Sequence, residues 1–278
     1  MKKLHCASYR LSLDRPRLMG IVNLTPDSFS GDGLAGRTGA ALDHARAQLE
    51  AGADILDLGA ESTKPGIQPT SLQEELDRLL PVLEVVSTWG VPVSVDTCKP
   101  QVMAASLASG ASMINDINGL RAPGALEVVA ASDCGICLMH MQGEPRHMQE
   151  SPVYGDVVAE VRAFLAARTQ ACRQAGIAEE RLVLDPGFGF GKTLHHNLEL
   201  FAGLARLAVD GLPLLVGVSR KSMLGAVTGR PVQQRLAASL AAAVLAAAKG
   251  ARIIRVHDVA QTRDALAVWS AIEQEQTA

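Results

Sequence analysis

Polar residues of complementary type stand at the ends of short apolar runs in this chain. Carboxylates are at Asp96, Asp116 and Asp185, cations at Arg220, Lys221 and Arg255, and amides at Asn23 and Asn115. Ser219 and His257 join them. A carboxylate beside an amide can both accept from and donate to a flat nitrogen heterocycle with amino and amide edges. Buried groups of this kind must be paired, so Asp96, Asn115 and Asp185 imply a complementary ligand, and Lys221 is long enough to cover the same site. Arg255 suits bidentate contact with phosphate oxygens. No block of carboxylates forms an all-protein metal cage. Asn23 is a neutral oxygen ligand, which fits Mg²⁺ held jointly by protein and a diphosphate. Taken singly, an Asn or Asp after a strand is as readily a helix N-cap or a turn residue; the complementary set argues for a ligand.

The stretch LDPGFGFGKT, residues 184–193, looks like a phosphate loop of the form G-x-x-x-x-G-K-[ST]. The spacing fails. Pro186 stands where the first glycine belongs, and Gly187 makes the loop one residue short. Its glycines instead let backbone approach a ligand closely. Lys192 either reaches the same site or faces solvent. His195 and His196 open a helix, where capping or exposure is expected.

These residues need a frame that brings them together. Eight apolar runs carry them: RLMGIVN to Asn23, ADILDLGAES to Ser62, VPVSVD to Asp96, ASMIND to Asp116, GICLMH to His140, RLVLD to Asp185, PLLVGVSR to Arg220 and RIIRVHD to Asp258. They are rich in Val, Ile and Leu and mostly lack alternation, as parallel strands buried on both faces do. Helical patterns lie between them at 38–51, 71–88, 99–109, 123–132, 156–175, 195–207, 231–249 and 261–274. Ser71 and Glu74 form a capping box, Pro81 is expected to kink or split its helix, and Gly52, Gly110 and Gly176 are C′ stops. Eight strand–helix units predict an α/β fold, a (β/α)8 barrel of one domain over 1–278 with its core at about 17–275. The active site then lies at the carboxyl ends of the strands, with a phosphate site near strands seven and eight.

Composition agrees. The 278 residues are 48% hydrophobic and 20% charged, with net charge −3, so no basic field recruits nucleic acid or membrane. The N-terminus lacks the apolar run of a signal peptide, and the apolar stretch 236–248 is too short to span a bilayer. A soluble cytoplasmic protein is expected. Five cysteines suggest no disulfide framework. Cys134 and Cys137 form a C-x-x-C, but Cys137 lies in an apolar run and reads as a core residue. The Ala-rich 236–248 stretch is a core helix or a dimer contact.

Eight segments in order resemble the dihydropteroate synthase family of bacterial folate synthesis: MGIVNLTPDSFSGDG (19–33), GAESTKPG (59–66), SVDTCKP (94–100), INDI (114–117), LMHMQGEP (138–145), LDPGFGFGK (184–192), GVSRKSMLG (217–225) and IIRVHDV (253–259). The resemblance implies a (β/α)8 barrel, usually a homodimer. It also implies condensation of 6-hydroxymethyl-7,8-dihydropterin diphosphate with para-aminobenzoate to give 7,8-dihydropteroate and diphosphate, with Mg²⁺ as cofactor and sulfonamide sensitivity. By resemblance, Asp96, Asn115, Asp185, Lys221 and Met139 hold the pterin. Asn23, Thr63, Lys64, Arg255 and His257 hold the diphosphate, and Asn23 its Mg²⁺. Thr63, Pro65, Phe190, Lys221 and Ser222 line the aminobenzoate site. Asp96, Lys221, Arg255 and Asn23 carry the chemistry. The loops at 27–33 and 62–66 close over the mouth. Lys64 departs from the arginine common in the family; it keeps the charge but loses the planar fork.

Overall fold

The computed structural model describes residues 2–277 except 26–32, 35, 64 and 65. Eight strands close a parallel barrel: β3 (Arg17–Asn23), β4 (Ile55–Gly59), β5 (Val93–Asp96), β6 (Met113–Asp116), β7 (Gly135–Met139), β8 (Leu182–Asp185), β9 (Leu214–Val216) and β10 (Ala251–Val256). β10 returns to pair with β3. The eight predicted runs are these eight strands. Two further strands, β1 (Lys3–Cys6) and β2 (Tyr9–Ser12), form an antiparallel hairpin that the run pattern does not reveal.

The helices α1 (Thr38–Glu50), α2 (Leu72–Val86), α3 (Pro100–Ala108), α4 (Ala125–Ala130), α5 (Val157–Gln174), α6 (Leu194–Ala202), α7 (Ser222–Thr228), α8 (Leu236–Ala248) and α9 (Val259–Thr277) lie between and after the barrel strands. The helical patterns of the sequence do not include α7. The Ser71 side chain caps α2 at the Glu74 N–H. Pro81 does not split α2. It sits on the exposed face together with Asp77, so the carbonyl that proline leaves without an intrahelical partner can turn to water.

Side chains alternate in and out along each strand. Met19, Ile55, Met113, Cys137, Val183, Leu215 and Ile253 form one buried interior cluster. Leu4 and Cys6 of the hairpin, with Leu13, join this cluster and plug the amino end of the barrel. A Cβ at Gly135 would fall 2.6 Å from Cys6 Sγ, so the hairpin packs directly on β7. Cys134 and Cys137 are buried and free, as core residues. Further along the inward faces, towards the carboxyl ends, stand polar residues: Asn23 on β3, Asp57 on β4, Asp96 on β5, Asn115 on β6, Asp185 on β8 and Arg255 on β10. Among the described residues, no helix is long and apolar enough to cross a membrane.

Candidate active site at the carboxyl mouth

A cavity of about 580 Å³ opens at the carboxyl ends of the strands. Asn23, Thr63, Asp96, Phe190, Lys221, Ser222, Arg255 and His257 line it, as the sequence predicts. Asn115, Asp185 and Met139 stand beside it, with 3–6% of their surface exposed. Lys64 and Pro65 lie outside the described residues, as does most of the first mouth loop.

Parallel pairing sets the floor. Asn23 pairs with Gly59, Gly59 with Asp96, and Asp96 with Asn115, so these residues form one row across β3 to β6. Arg255 reaches over this row from β10. Its Nε donates to Asp57 Oδ2 at 2.6 Å and its Nη2 to Asp96 Oδ2 at 2.9 Å. Asn115 Nδ2 donates to the same Asp57 oxygen at 3.4 Å. Asp57 Oδ1 is buried without a hydrogen-bond partner among the described residues. Asp57 is a site residue that the run ends do not point to. Its signal is a carboxylate inside an apolar strand, two residues before Gly59 and therefore on the inward face.

Burial dominates the electrostatics. It pushes Asp96 up to about 7, with Arg255 opposing and Asp57, Asp116 and Glu75 adding to the rise. Burial also raises Asp185, against Lys221, its own hydrogen bond from the Gly187 N–H, and Arg255. Lys221 falls to about 8 because burial outweighs the attraction of Asp185. Its ammonium donates to the Phe188 carbonyl and stands 4.8 Å from the centre of the Phe190 ring. His257 Nδ1 lies 3.0 Å from Ser219 Oγ. Cations, carboxylates and an aromatic wall thus share one cavity.

These features find their counterpart in known proteins. The pterin binding enzyme family model matches residues 19–257. Dihydropteroate synthase of Escherichia coli (strain K12) is 50% identical over 270 residues, covering 97% of this chain and 96% of the relative. The chain belongs to the dihydropteroate synthase family. The Yersinia pestis dihydropteroate synthase solved as a sulfonamide drug complex superposes with a TM-score of 0.95 at 49% identity, covering 98% of this chain and 99% of that one. The Burkholderia cenocepacia dihydropteroate synthase complexed with 7,8-dihydropteroate gives 0.92 at 50% identity, covering 99% and 98%.

Within this barrel, two predicted mouth residues prove to be scaffold. Asp116 is fully buried and accepts from the Asn118 and Leu120 N–H groups, both at 2.7 Å. It shapes the turn after β6, where Leu120 takes a left-handed φ of 58°. Arg220 forms a two-point ion pair with Asp258, at 3.0 and 2.5 Å, outside the cavity lining. The loop after β8 explains its glycines. Gly187, Gly189 and Gly191 all have positive φ, at 68°, 81° and 60°. A Cβ at Gly187 would come within 1.9 Å of the His140 carbonyl, and one at Gly191 within 2.3 Å of that of Gln142. His196 completes the Thr193 capping box of α6, and His195 is exposed, as expected.

Met148 and Gln149, from the long connection between β7 and α5, also line the cavity, and sequence reasoning misses them. Such a connection carries no periodic signal to place it. Met139 packs with Ile117, Met141 and Met148, and Phe190 sits against this cluster. Glu61, after β4, is another lining residue. Its carboxylate accepts from Lys99 Nζ at 2.7 Å, and that ammonium also donates to the buried Glu75 at 2.6 Å.

Proposed function

We propose that the chain condenses 6-hydroxymethyl-7,8-dihydropterin diphosphate with para-aminobenzoate, giving 7,8-dihydropteroate and diphosphate. Near-full-length identity to dihydropteroate synthase carries this reading. The cavity supports a division of roles. Asp96 and Asn115, with Asp185, take the amino and amide edge of the pterin, Lys221 covers it, and Met139 supports its face. Arg255 and His257, with Asn23 and Thr63, take the diphosphate at the rim. Phe190, Thr63, Ser222 and Lys221 hold the aminobenzoate ring.

The reaction breaks the bond between the pterin CH₂ and a diphosphate oxygen, and the electron pair leaves with that oxygen. The ring is electron-rich, so positive charge on the CH₂ is tolerable before the amine attacks. The substitution is therefore dissociative. Buried carboxylates at 96 and 185 stabilise the cationic pterin, and Arg255 and His257 stabilise the departing charge; each such preorganised group is worth about 3–4 kcal/mol on removal. The aryl amine nitrogen then forms the C–N bond and loses a proton to solvent. It is already a free base near pH 7, so no strong general base is required, and holding it in line is mostly an entropic gain.

Among the described residues, no group of three His, Cys, Asp or Glu side chains is placed to hold a metal. The donor set at the rim is the neutral amide oxygen of Asn23. That fits a Mg²⁺ carried chiefly by diphosphate oxygens and water, with Asn23 as its protein ligand. Bound there, the cation would neutralise charge on the leaving group.

A homodimer is part of this reading. Leu245 of α8 and Val268 and Ile272 of α9 are more than half exposed on two helices that pack together. A second copy would cover them, and light scattering tests it. The functional test is diphosphate release from the pterin substrate with and without para-aminobenzoate. Release that requires the aminobenzoate, with dihydropteroate formed in equal amount, is expected. No product from the two substrates would refute the reading.

A further inference from the structure

Lys192 ends the glycine-rich loop after β8 and is only 3% exposed, although it borders the cavity. A buried lysine at an anionic substrate's pocket invites the reading of a phosphate ligand. Its surroundings argue otherwise. Burial pulls this amine down to about 7, against the attraction of Asp185. In its charged form it has three N–H donors, and three acceptors surround it: Gly187 O at 2.9 Å, Phe190 O at 3.0 Å and His140 Nδ1 at 3.0 Å. His140 packs edge-on against Phe164, with ring centroids 4.9 Å apart. Burial and the neighbouring Lys192 and Arg121 hold it down at about 3, so it stays a neutral acceptor.

The two carbonyls belong to the turn that carries Phe190. The same turn is fixed from other sides: Asn197 Oδ1 accepts from the Gly189 N–H at 2.7 Å, and Tyr154 Oη donates to Gly191 O at 2.9 Å. Asp185 Oδ1 accepts from the Gly187 N–H at 2.7 Å, a bond on the strand side of the turn in which Lys192 takes no part. Lys192 ties the two ends of the turn, residues 187 and 190, to His140 at the end of β7.

We propose that Lys192 is a positioning residue that fixes the loop presenting Phe190 to the aminobenzoate ring, and that its ammonium touches neither substrate. This rests on the functional reading above, in which Phe190 forms the aminobenzoate wall. Removing the ammonium leaves three buried acceptors without their donor, and the turn must relax to find others. The aminobenzoate site should loosen, while the pterin row on β3 to β6 stays in place.

The test is Lys192→Met, which keeps the stem and removes the donors. The KM for aminobenzoate is expected to rise about tenfold, the size of one lost charge-assisted hydrogen bond. The affinity for the pterin diphosphate, measured by calorimetry without aminobenzoate, is expected to change less than about threefold. Loss of folded protein alone would lower apparent kcat at unchanged KM. An unchanged aminobenzoate KM overturns the proposal, and so does a pterin affinity that falls as far as the KM rises, since Lys192 would then be a pterin or diphosphate ligand. If Lys192→Met does not fold, His140→Phe removes one acceptor and keeps a ring against Phe164. A severalfold rise in aminobenzoate KM at unchanged pterin affinity supports the proposal, and no rise overturns it. Wild-type protein that makes no dihydropteroate would instead sink the functional reading, independently of either variant.

Discussion

Arg255 meets two carboxylates in unequal settings: its Nε lies 2.6 Å from fully buried Asp57, and its Nη2 lies 2.9 Å from Asp96, which is 19% exposed at the cavity. The inner contact is an anchor, and the outer one can be given up to a ligand. Asp57→Ala should therefore leave a buried cation without its main partner and cost about 3–5 kcal/mol of stability. Asp96→Ala leaves the anchor intact and relieves a buried carboxylate, so its cost should be clearly smaller. Urea midpoints of the two variants decide, and equal losses would contradict the assignment of Asp57 as the anchor.

The same geometry separates two ligand affinities. Arg255→Ala should weaken binding of the pterin diphosphate at least about tenfold, as loss of a charge-assisted contact does. The diphosphate-free pterin should still bind. Asp96→Asn should weaken both pterins, because the carboxylate serves the ring. Calorimetry with the two ligands reads this directly. If Arg255→Ala abolished binding of the diphosphate-free pterin too, the division between floor and rim would be wrong.

Asp96 also predicts a pH dependence. Its folded value of about 7 lies well above the ordinary aspartate value of 3.8. The native state therefore holds a proton there that the unfolded state has released across the window between those values. Stability contributed by this group is highest below the window and falls as pH rises through it. Ligand binding runs the other way, since a pterin N–H needs the ionised carboxylate as acceptor. Pterin affinity should rise from about pH 5.5 towards about 8, with proton release on binding near pH ~6. Calorimetry in buffers of different ionisation enthalpy measures that release, and its persistence in Asp96→Asn would assign it to another group.

What a strand end reveals decides how much of the fold and site is legible in the sequence. An apolar run of a few residues closing on a polar residue marks a barrel strand and its mouth at once, so Asn23, Asp96 and Arg255 can be placed from the sequence alone. Asp57 cannot be placed by its run end, because it lies inside a strand and only inward register exposes its role. Asp116 and Arg220 look identical to site residues. Both stand just where strand gives way to loop, and what separates them is the partner: two backbone N–H groups for one and Asp258 for the other. Lys192 is undecided in the sequence for the same reason, since its three acceptors come from residues 140, 187 and 190. Hairpin β1–β2 is short and packs on the barrel floor, so its stability is tertiary and its pattern weak.

Lys99 joins Glu61 at the cavity edge to Glu75, which is fully buried in α2. Thr97 Oγ1 donates to Glu75 as well, at 2.6 Å. Removing only the cation should strand a buried carboxylate that burial already raises. Lys99→Met is expected to cost about 3–5 kcal/mol, and Lys99→Met with Glu75→Gln markedly less, because neutralising the second partner removes the penalty. A double-mutant cycle by chemical denaturation gives the coupling. Additive losses would mean that the two side chains do not act as a pair.

Two glycines with nearly the same backbone conformation should respond very differently to alanine. Gly187 has φ 68° and Gly229 has φ 70°. A left-handed alanine alone costs about 1–2 kcal/mol. At Gly229, which follows α7, a Cβ meets nothing within 4 Å. At Gly187 it would come within 1.9 Å of the His140 carbonyl, a backbone atom that cannot rotate away. Gly229→Ala should therefore lose only the conformational term and keep full turnover. Gly187→Ala should in addition push the β8 loop off the β7 loop, displacing Phe190 and Asp185 together. Its kcat/KM for both substrates is expected to fall by at least about a hundredfold, or about 2.7 kcal/mol, with a thermal midpoint well below that of Gly229→Ala. Matching activities in the two variants would show that the loop after β8 yields easily, and would remove close packing as the reason for its glycines.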